Sequence, residues 1–295
     1  MIFNAQDNKE IFVSAWENVV EPVGVVQISH GMAEHTGRYE EFAAYLNGLG
    51  YVVYADDHRG HGQTDKDTLG YAKGDMFGDT VKDIVGIGKT LREKYPDKKL
   101  VLLGHSYGSF LTQKVMAEAP DLYDGFILYG SNYKKDFETR FGALVASIGC
   151  AIRGESTPSN FINSLTFGAY AKKFDDRLWL SADPAYSSLY DGDPLCGFVC
   201  SYNFYRSFMK GLNSLYTKEY GEKLNKNTPV LLISGRDDPV GAMGKGVEKL
   251  YSYYRSLGMK AELCLIDGAR HVLLGEREES KKIFIDRVTE FLQKA

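Results

Sequence analysis

The chain lacks the features of a secreted or membrane-spanning protein. Its first ten residues have neither the basic start nor the apolar centre of a signal peptide. Every apolar run is too short to cross a bilayer, and the longest nearly uncharged stretch, 141–152, contains two glycines. We therefore expect no integral membrane segment.

An excess of positive charge is also missing. The chain has 35 Lys and Arg residues and 39 Asp and Glu residues, which gives a net charge of −4. There is therefore no electrostatic basis for binding nucleic acid. Cysteine is scarce, and Cys150, Cys196, Cys200 and Cys264 show no metal-ligand spacing. Reduced thiols and a cytoplasmic location are the corresponding expectation.

What is present is the composition of an ordinary globular protein. Of the 295 residues, 44% are hydrophobic and 25% are charged. A chain of this length can form one large α/β domain or one domain with an insertion.

Short apolar runs alternate with helical segments over much of the chain, which favours a mostly parallel sheet with helices on both faces. The predicted strands are Ile11–Trp16, Gly24–Ser29, Tyr51–Ala55, Leu100–Leu103, Gly125–Tyr129, Val230–Ser234 and Ala261–Ile266. The predicted helices are Tyr39–Asn47, Asp79–Lys94, Ser106–Ala119, Gly244–Leu257 and Glu278–Lys294.

The alternation stops between residues 132 and 224, where no strong strand pattern appears and aromatic residues are dense. They are Phe137, Phe141, Phe161, Phe167, Tyr170, Phe174, Trp179, Tyr186, Tyr190, Phe198, Tyr202, Phe204, Tyr205 and Phe208. A stretch so long and apolar is not a loop. We predict an inserted, largely helical cap over 132–224, and a core formed by 1–131 and 225–295. Most of the aromatics are expected to form the cap's own core, and a minority to line an acyl-chain pocket.

The pentapeptide 104–108, Gly-His-Ser-Tyr-Gly, is the most informative motif. It follows a buried strand and precedes a helix that stops at Pro120, the context in which G-x-S-x-G carries a nucleophilic serine on a sharp turn. Crowding at such a turn leaves little room for side chains at its two glycines. Ser106 is therefore the predicted nucleophile, at a helix N-terminus that favours negative charge.

A serine nucleophile needs a histidine base, and this chain offers one in the required order. In hydrolases built around this turn the acid and then the histidine follow the serine. Five of the six histidines precede Ser106, and His271 alone follows it, just after the last predicted strand. The carboxyl ends of parallel strands are where active sites form, so His271 is the predicted base.

The acid is expected after the preceding strand, where two adjacent aspartates compete. Pro239 favours an extended conformation at Asp238, which suits a fixed carboxylate. Asp237 remains a candidate, and Asp267 is a weaker one because it is close to His271 in sequence and suits a turn.

An oxyanion hole requires two backbone N–H groups aimed at one point. Tyr107, directly after the nucleophile, supplies one. Gly31 allows the loop after Gly24–Ser29 to approach closely, so the Met32 amide is the second predicted donor. His30, His35, His58 and His61 match no metal-ligand spacing, and we expect them to form polar surroundings of the site.

These motifs together resemble the monoacylglycerol lipase and lysophospholipase branch of the α/β-hydrolase fold. The resemblance rests on residues 30–39, the segment 57–64, the pentapeptide, residues 235–238 and His271. It implies Asp238 as the acid, Met32 as the first oxyanion donor, and a serine esterase that needs neither a cofactor nor a metal. The implied partner is a small acyl ester such as a monoacylglycerol, with transient contact between the cap and lipid.

Two other functions are compatible with part of the pattern. An aminopeptidase or amidase on the same fold would need a site for a substrate ammonium, for which the cap offers Asp175, Asp176, Asp191 and Asp193. A non-catalytic receptor would be expected to lack part of the triad, whereas all three roles are filled here. A dehalogenase is excluded because it would carry aspartate at position 106.

Overall fold

The computed structural model describes residues 1–134, 137–176 and 178–295. The strands are β1 (Ile2–Asn4), β2 (Glu10–Trp16), β3 (Gly24–Ser29), β4 (Tyr51–Asp56), β5 (Lys99–His105), β6 (Gly125–Tyr129), β7 (Val230–Gly235) and β8 (Ala261–Ile266). They form one sheet in the order β1-β2-β4-β3-β5-β6-β7-β8. In this order every neighbouring pair from β4 to β8 is parallel, whereas the β1–β2 and β2–β4 pairs are antiparallel.

The helices between and after the strands cover both faces of this sheet. They are α1 (Glu40–Gly48), α2 (Met76–Lys94), α3 (Tyr107–Glu118), α4 (Phe137–Arg153), α5 (Asn160–Ala171), α6 (Pro184–Gly192), α7 (Tyr202–Ser214), α8 (Lys218–Lys223), α9 (Lys245–Ser256) and α10 (Glu278–Lys294). The predicted α/β architecture, with a mostly parallel sheet between helices, is confirmed.

Alternation along the central strand explains why helices pack on both sides. In β5, Leu100 and Leu102 join the apolar cluster under α2, α3 and α9, whereas Val101 and Leu103 join the cluster under α1 and α10. Successive strand side chains point to opposite faces, so one continuous aliphatic run supplies both cores.

Helices α4 to α8 lie between β6 and β7, in the region predicted as an inserted cap. Helix α7 packs on α4 and also on α2 of the core, and α8 packs on α3. The insertion is therefore continuous with the core at its C-terminal end, and its bounds at 132 and 224 stay a prediction. Among the described residues, no helix has both the length and the apolar character needed to cross a bilayer.

Candidate active site

Ser106 lies on the sharp turn between β5 and α3. Its backbone has φ of +52°, in the left-handed region that residues other than glycine rarely adopt. The turn is held by the Ser106 amide, which donates to the Tyr129 carbonyl of β6 at 2.9 Å. The hydroxyl of Ser106 is consequently presented at the carboxyl edge of the sheet, at the N-terminus of α3.

The two glycines of the turn are required by close backbone contacts. A β-carbon on Gly108 would lie 2.0 Å from the Ser29 carbonyl oxygen, and one on Gly104 would lie 2.5 Å from the Gly108 carbonyl oxygen. Both obstacles are backbone atoms, which cannot rotate away as a side chain can. The crowding expected from the sequence is therefore present at both positions.

His271 follows β8 and is only 2% exposed. Its Nδ1 lies 3.0 Å from Oδ2 of Asp238, which is fully buried in the loop after β7. The same oxygen accepts a hydrogen bond from Ser234 Oγ at 3.1 Å, and the other carboxylate oxygen accepts one from the Val240 amide at 2.8 Å. The Asp238 carboxylate is thus fixed by three contacts, one of which is to the histidine ring.

The other two aspartate candidates are placed differently. Asp267 forms an ion pair with Arg236. Asp237 is half-buried, and its backbone amide donates to the Ala269 carbonyl at 3.0 Å. Of the three, Asp238 is the one that contacts the ring of His271.

The loop after β3 lies directly against Ser106. A β-carbon on Gly31 would be 3.3 Å from Cβ of Ser106, so glycine permits this approach. Met32 follows in the loop, and Tyr107 is the first residue of α3. Both of them line the cavity that Ser106 and His271 also line.

A buried carboxylate behind this loop was not identified from the sequence. Glu34 Oε1 accepts hydrogen bonds from the Gly31 amide at 2.5 Å and from the Tyr39 hydroxyl at 2.9 Å, and it lies 2.9 Å from His105 Nδ1. Burial lowers the pKa of His105, so its neutral ring donates from Nδ1 to the carboxylate. Glu34 thereby orients the His30–Gly31 peptide, one peptide before the one that carries the Met32 amide. Its bonds to Gly31 and Tyr39 are local, but the contact with His105 spans 71 residues and no local pattern signals it.

The buried histidines hold the same loop from its other side. His30 Nδ1 donates to the Gly31 carbonyl at 2.7 Å, and its Nε2 accepts from the His58 amide at 3.0 Å. Burial lowers the pKa of His30 to about 4, which keeps its ring neutral and preserves both bonds. His58 is in turn held by Asp56, whose carboxylate lies 2.7 Å from its Nδ1.

One group of side chains has the composition of a metal site, but its electrostatic surroundings disfavour a metal cation. His35, Asp193 and Cys196 offer ligand atoms that all lie within 4.8 Å of one another. Arg38 donates to the sulfur of Cys196 at 3.9 Å, and its positive charge opposes a metal cation. Burial also raises the pKa of the Cys196 thiol to about 12, which disfavours the thiolate that a metal requires.

Ser106 and His271 open into a cavity of about 530 Å³ beneath the helices between β6 and β7. Its apolar wall includes Phe110, Phe141, Val145, Leu165, Phe208 and Met209. Most of the aromatic residues of 132–224 line it, and those that do not are Tyr133, Phe174, Phe198, Tyr202, Phe204, Tyr216 and Tyr220. The expectation that only a minority would face the serine was therefore wrong, since these helices enclose a cavity instead of packing on each other throughout.

Comparison with known proteins gives one family and several close relatives. The family described as "Serine aminopeptidase, S33" matches residues 20–278. A monoglyceride lipase homolog of monkeypox virus is 28% identical over 94% of this chain and 91% of its own length. The mouse monoglyceride lipase is 29% identical over 92% of this chain and 83% of its own length. A carboxyl esterase of Bacillus coagulans, solved with glycerol, superposes with a TM-score of 0.90 at 24% identity, covering 100% of this chain and 97% of the esterase.

Proposed function

We propose that this chain, a serine hydrolase that belongs to the serine aminopeptidase S33 family, hydrolyses the ester bond of a monoacylglycerol or a similar ester with one acyl chain. Its fold is the α/β-hydrolase fold expected from the sequence. The observation that carries the proposal is that His271, held by the buried Asp238, opens with the strained Ser106 into one largely apolar cavity.

The proposed reaction has two steps that share one base. Ser106 Oγ attacks the ester carbonyl carbon while His271 Nε2 takes its proton, and Asp238 holds the ring through Nδ1. The carbonyl oxygen becomes an oxyanion that accepts hydrogen bonds from the Met32 and Tyr107 amides. The ester C–O bond then breaks, and the alcohol leaves with the proton from His271. A water molecule attacks the acyl-enzyme in the same way and releases the fatty acid and free Ser106.

The cavity supports an acyl substrate rather than a peptide. Its walls near Ser106 are largely aromatic and aliphatic, which suits a hydrocarbon chain. The acidic residues considered for an ammonium site, Asp175, Asp176, Asp191 and Asp193, are not among the described residues that line it. Asp176 pairs with Arg270 and Asp193 with His35, so these two already have partners. The apolar lining and the similarity to monoglyceride lipases therefore support the esterase over the aminopeptidase.

The entrance of the cavity supports contact with lipid. Helix α4 carries exposed apolar residues at helical spacing, with Phe137 78% and Ile152 77% exposed. On α5, Phe161 and Leu165 are 59% and 62% exposed and also line the cavity. We propose that this surface touches the lipid from which the substrate enters.

The four free cysteines support a cytoplasmic location.

A covalent probe tests the nucleophile. A fluorophosphonate should label the wild type once and should not label the Ser106→Ala variant, which should hydrolyse p-nitrophenyl butyrate at least about a thousandfold more slowly. Ser252→Ala is the matched control, because Ser252 lies on an exposed position of α9 and bonds only a helix carbonyl. Labelling of the Ser106→Ala variant, or normal turnover by it, would refute the proposal.

Graded ester chains test the substrate class. Val145→Phe, on the cavity side of α4, should shorten the space for the acyl chain. Each methylene that no longer fits should lower kcat/KM about fourfold, whereas p-nitrophenyl acetate should be hydrolysed nearly as before. Ala151→Phe, on the exposed side of the same helix, is the control. A uniform loss across all chain lengths would indicate that Val145 supports the fold and not the acyl site.

A further inference from the structure

The ring of His271 is stacked on a tryptophan from the segment between α5 and α6. The centroids of Trp179 and His271 are 5.4 Å apart and their planes meet at 28°. Trp179 also stacks on Phe167 of α5, at 5.2 Å and 19°. Two stacked contacts thus link the histidine ring, through Trp179, to helix α5. Trp179 also lines the cavity beside Ser106.

The residues around Trp179 are tied to the residues around His271. We call residues 174–176 and 178–182 the strap. Arg270, directly before His271, donates to both carboxylate oxygens of Asp176 at 2.9 and 3.0 Å. Val272, directly after it, donates its amide to the Leu180 carbonyl at 2.7 Å. The strap is therefore fixed to both sides of the histidine, and the stack is a built contact and not a chance approach of two rings.

In the proposed reaction, the contact between Trp179 and His271 can stabilise a charge on the histidine. His271 gains a positive charge each time it takes the proton of Ser106 or of water. The face of an indole is the strongest aromatic partner for such a cation, and the attraction increases where water is excluded. His271 is 2% exposed, so water contributes little to stabilising that charge.

The other charged or titratable groups near His271 do not replace the stabilisation that Trp179 can give to its positive charge. Asp238, from the loop after β7, meets Nδ1 at 3.0 Å. His105, at the end of β5, has its ring centroid 5.1 Å away, with the Glu34 carboxylate on its far side. Burial lowers the pKa of His105, so this ring adds no positive charge at neutral pH. Arg270 is directed away to Asp176, and its guanidinium lies 4.1 Å from the centroid of the Phe174 ring.

We propose that Trp179 is a positioning residue that orients the His271 ring and stabilises its protonated form during acyl transfer. The inference rests on the proposed function, because it assigns Trp179 to the base of that reaction. It adds a cap residue to the group that sets the working pH range of the enzyme.

The pH dependence of kcat/KM for p-nitrophenyl acetate tests this role, because a two-carbon acyl group does not depend on the deep cavity. Trp179→Leu keeps an apolar side chain but removes the π face. We expect the midpoint of the acid limb to move about 0.5 to 1 pH unit lower, and kcat on the plateau to fall several-fold with KM changed less than twofold. Trp179→Phe should shift the midpoint by a smaller amount. Trp16→Leu, at the other tryptophan of the chain on β2, should shift nothing.

A measurement without turnover separates this inference from the proposed function. The protonation of His271 is followed by NMR of its ring in a Ser106→Ala background, with and without Trp179→Leu, and His271→Gln assigns the resonance. A lower midpoint without Trp179 supports the inference even if no ester is hydrolysed. Equal midpoints within 0.1 unit, or a shift to higher pH, overturn it. If Trp179→Leu does not fold, the Trp179→Phe pair decides by the same criterion.

Discussion

The substitution Asp238→Asn should move the ring proton of His271 from Nδ1 to Nε2 without changing the fold. Oδ1 of Asp238 accepts from the Val240 amide, so the oxygen of an asparagine must occupy that position. Its NH₂ group then replaces Oδ2 and faces His271 Nδ1 and Ser234 Oγ. An NH₂ group donates and cannot accept, so it fixes Nδ1 without a proton and moves the proton to Nε2. The nitrogen that should take the proton of Ser106 is then already occupied.

The expected loss in kcat is on the order of ten thousandfold, which corresponds to about 5 kcal/mol in the activation barrier. The assay is hydrolysis of p-nitrophenyl butyrate by purified variants whose melting temperatures are compared with that of the wild type. Asp237→Asn is the matched control, since Asp237 is half-buried and has the same chemistry one residue earlier. It should change kcat by less than about threefold, because its side chain does not set the tautomer of His271.

Two outcomes would refute this reasoning. Asp238→Asn that keeps activity within tenfold of the wild type would mean that the tautomer of His271 is set by something other than this contact. A larger loss in Asp237→Asn than in Asp238→Asn would mean that the carboxylate has been assigned to the wrong residue. Either result would leave Ser106 as the nucleophile, because the probe experiment tests it independently.

Two further predictions concern stability. Gly108→Ala should destabilise the protein by about 3 kcal/mol or more and lower Tm by roughly 6 °C or more in calorimetry, because the new β-carbon would lie 2.0 Å from the Ser29 carbonyl oxygen. Gly48→Ala, where nothing lies within 4 Å, should leave Tm nearly unchanged, and equal effects of the two would contradict the contact. The second prediction is that the free energy of unfolding falls by at least about 3 kcal/mol between pH 7 and pH 4. Unfolded chains protonate His30 below pH 6.5 while burial holds its pKa at about 4 in the fold, and burial lowers the pKa of His61 and of His105 in the same direction. Urea unfolding at four pH values in this interval measures it, and a constant free energy would count against a neutral, buried His30.

The strands could be predicted well because their signal is local. Gly24–Ser29 and Gly125–Tyr129 have the predicted bounds, since each is a short apolar run buried along its whole length. Strand β1, Ile2–Asn4, was not predicted. It has three residues and only a partly buried centre, so neither alternation nor an apolar run identifies it.

The site divides in the same way between local and distant signals. Ser106, His271 and the aspartate pair could be found because chain order and strand ends restrict them, and the structure gathers Ser106 and His271 at one cavity with Asp238 against the histidine. Their roles stay predictions until they are tested by substitution. Glu34 and Trp179 could not be found, because their contacts with His105 and His271 join residues about 70 to 90 positions apart in the chain. The sequence contains both residues but gives no sign of which neighbours they have.

The position of the long insertion has a consequence for how the molecule assembles. Strands β6 and β7 are neighbours in the sheet, yet about 100 residues separate Tyr129 from Val230. Ser106 belongs to the half before this gap, and Asp238 and His271 belong to the half after it. Pairing that closes so long a loop is slow compared with local structure formation. During synthesis the residues of the serine turn emerge before those of the acid and the base, so we expect catalytic competence only after the insertion has folded and β7 has paired with β6.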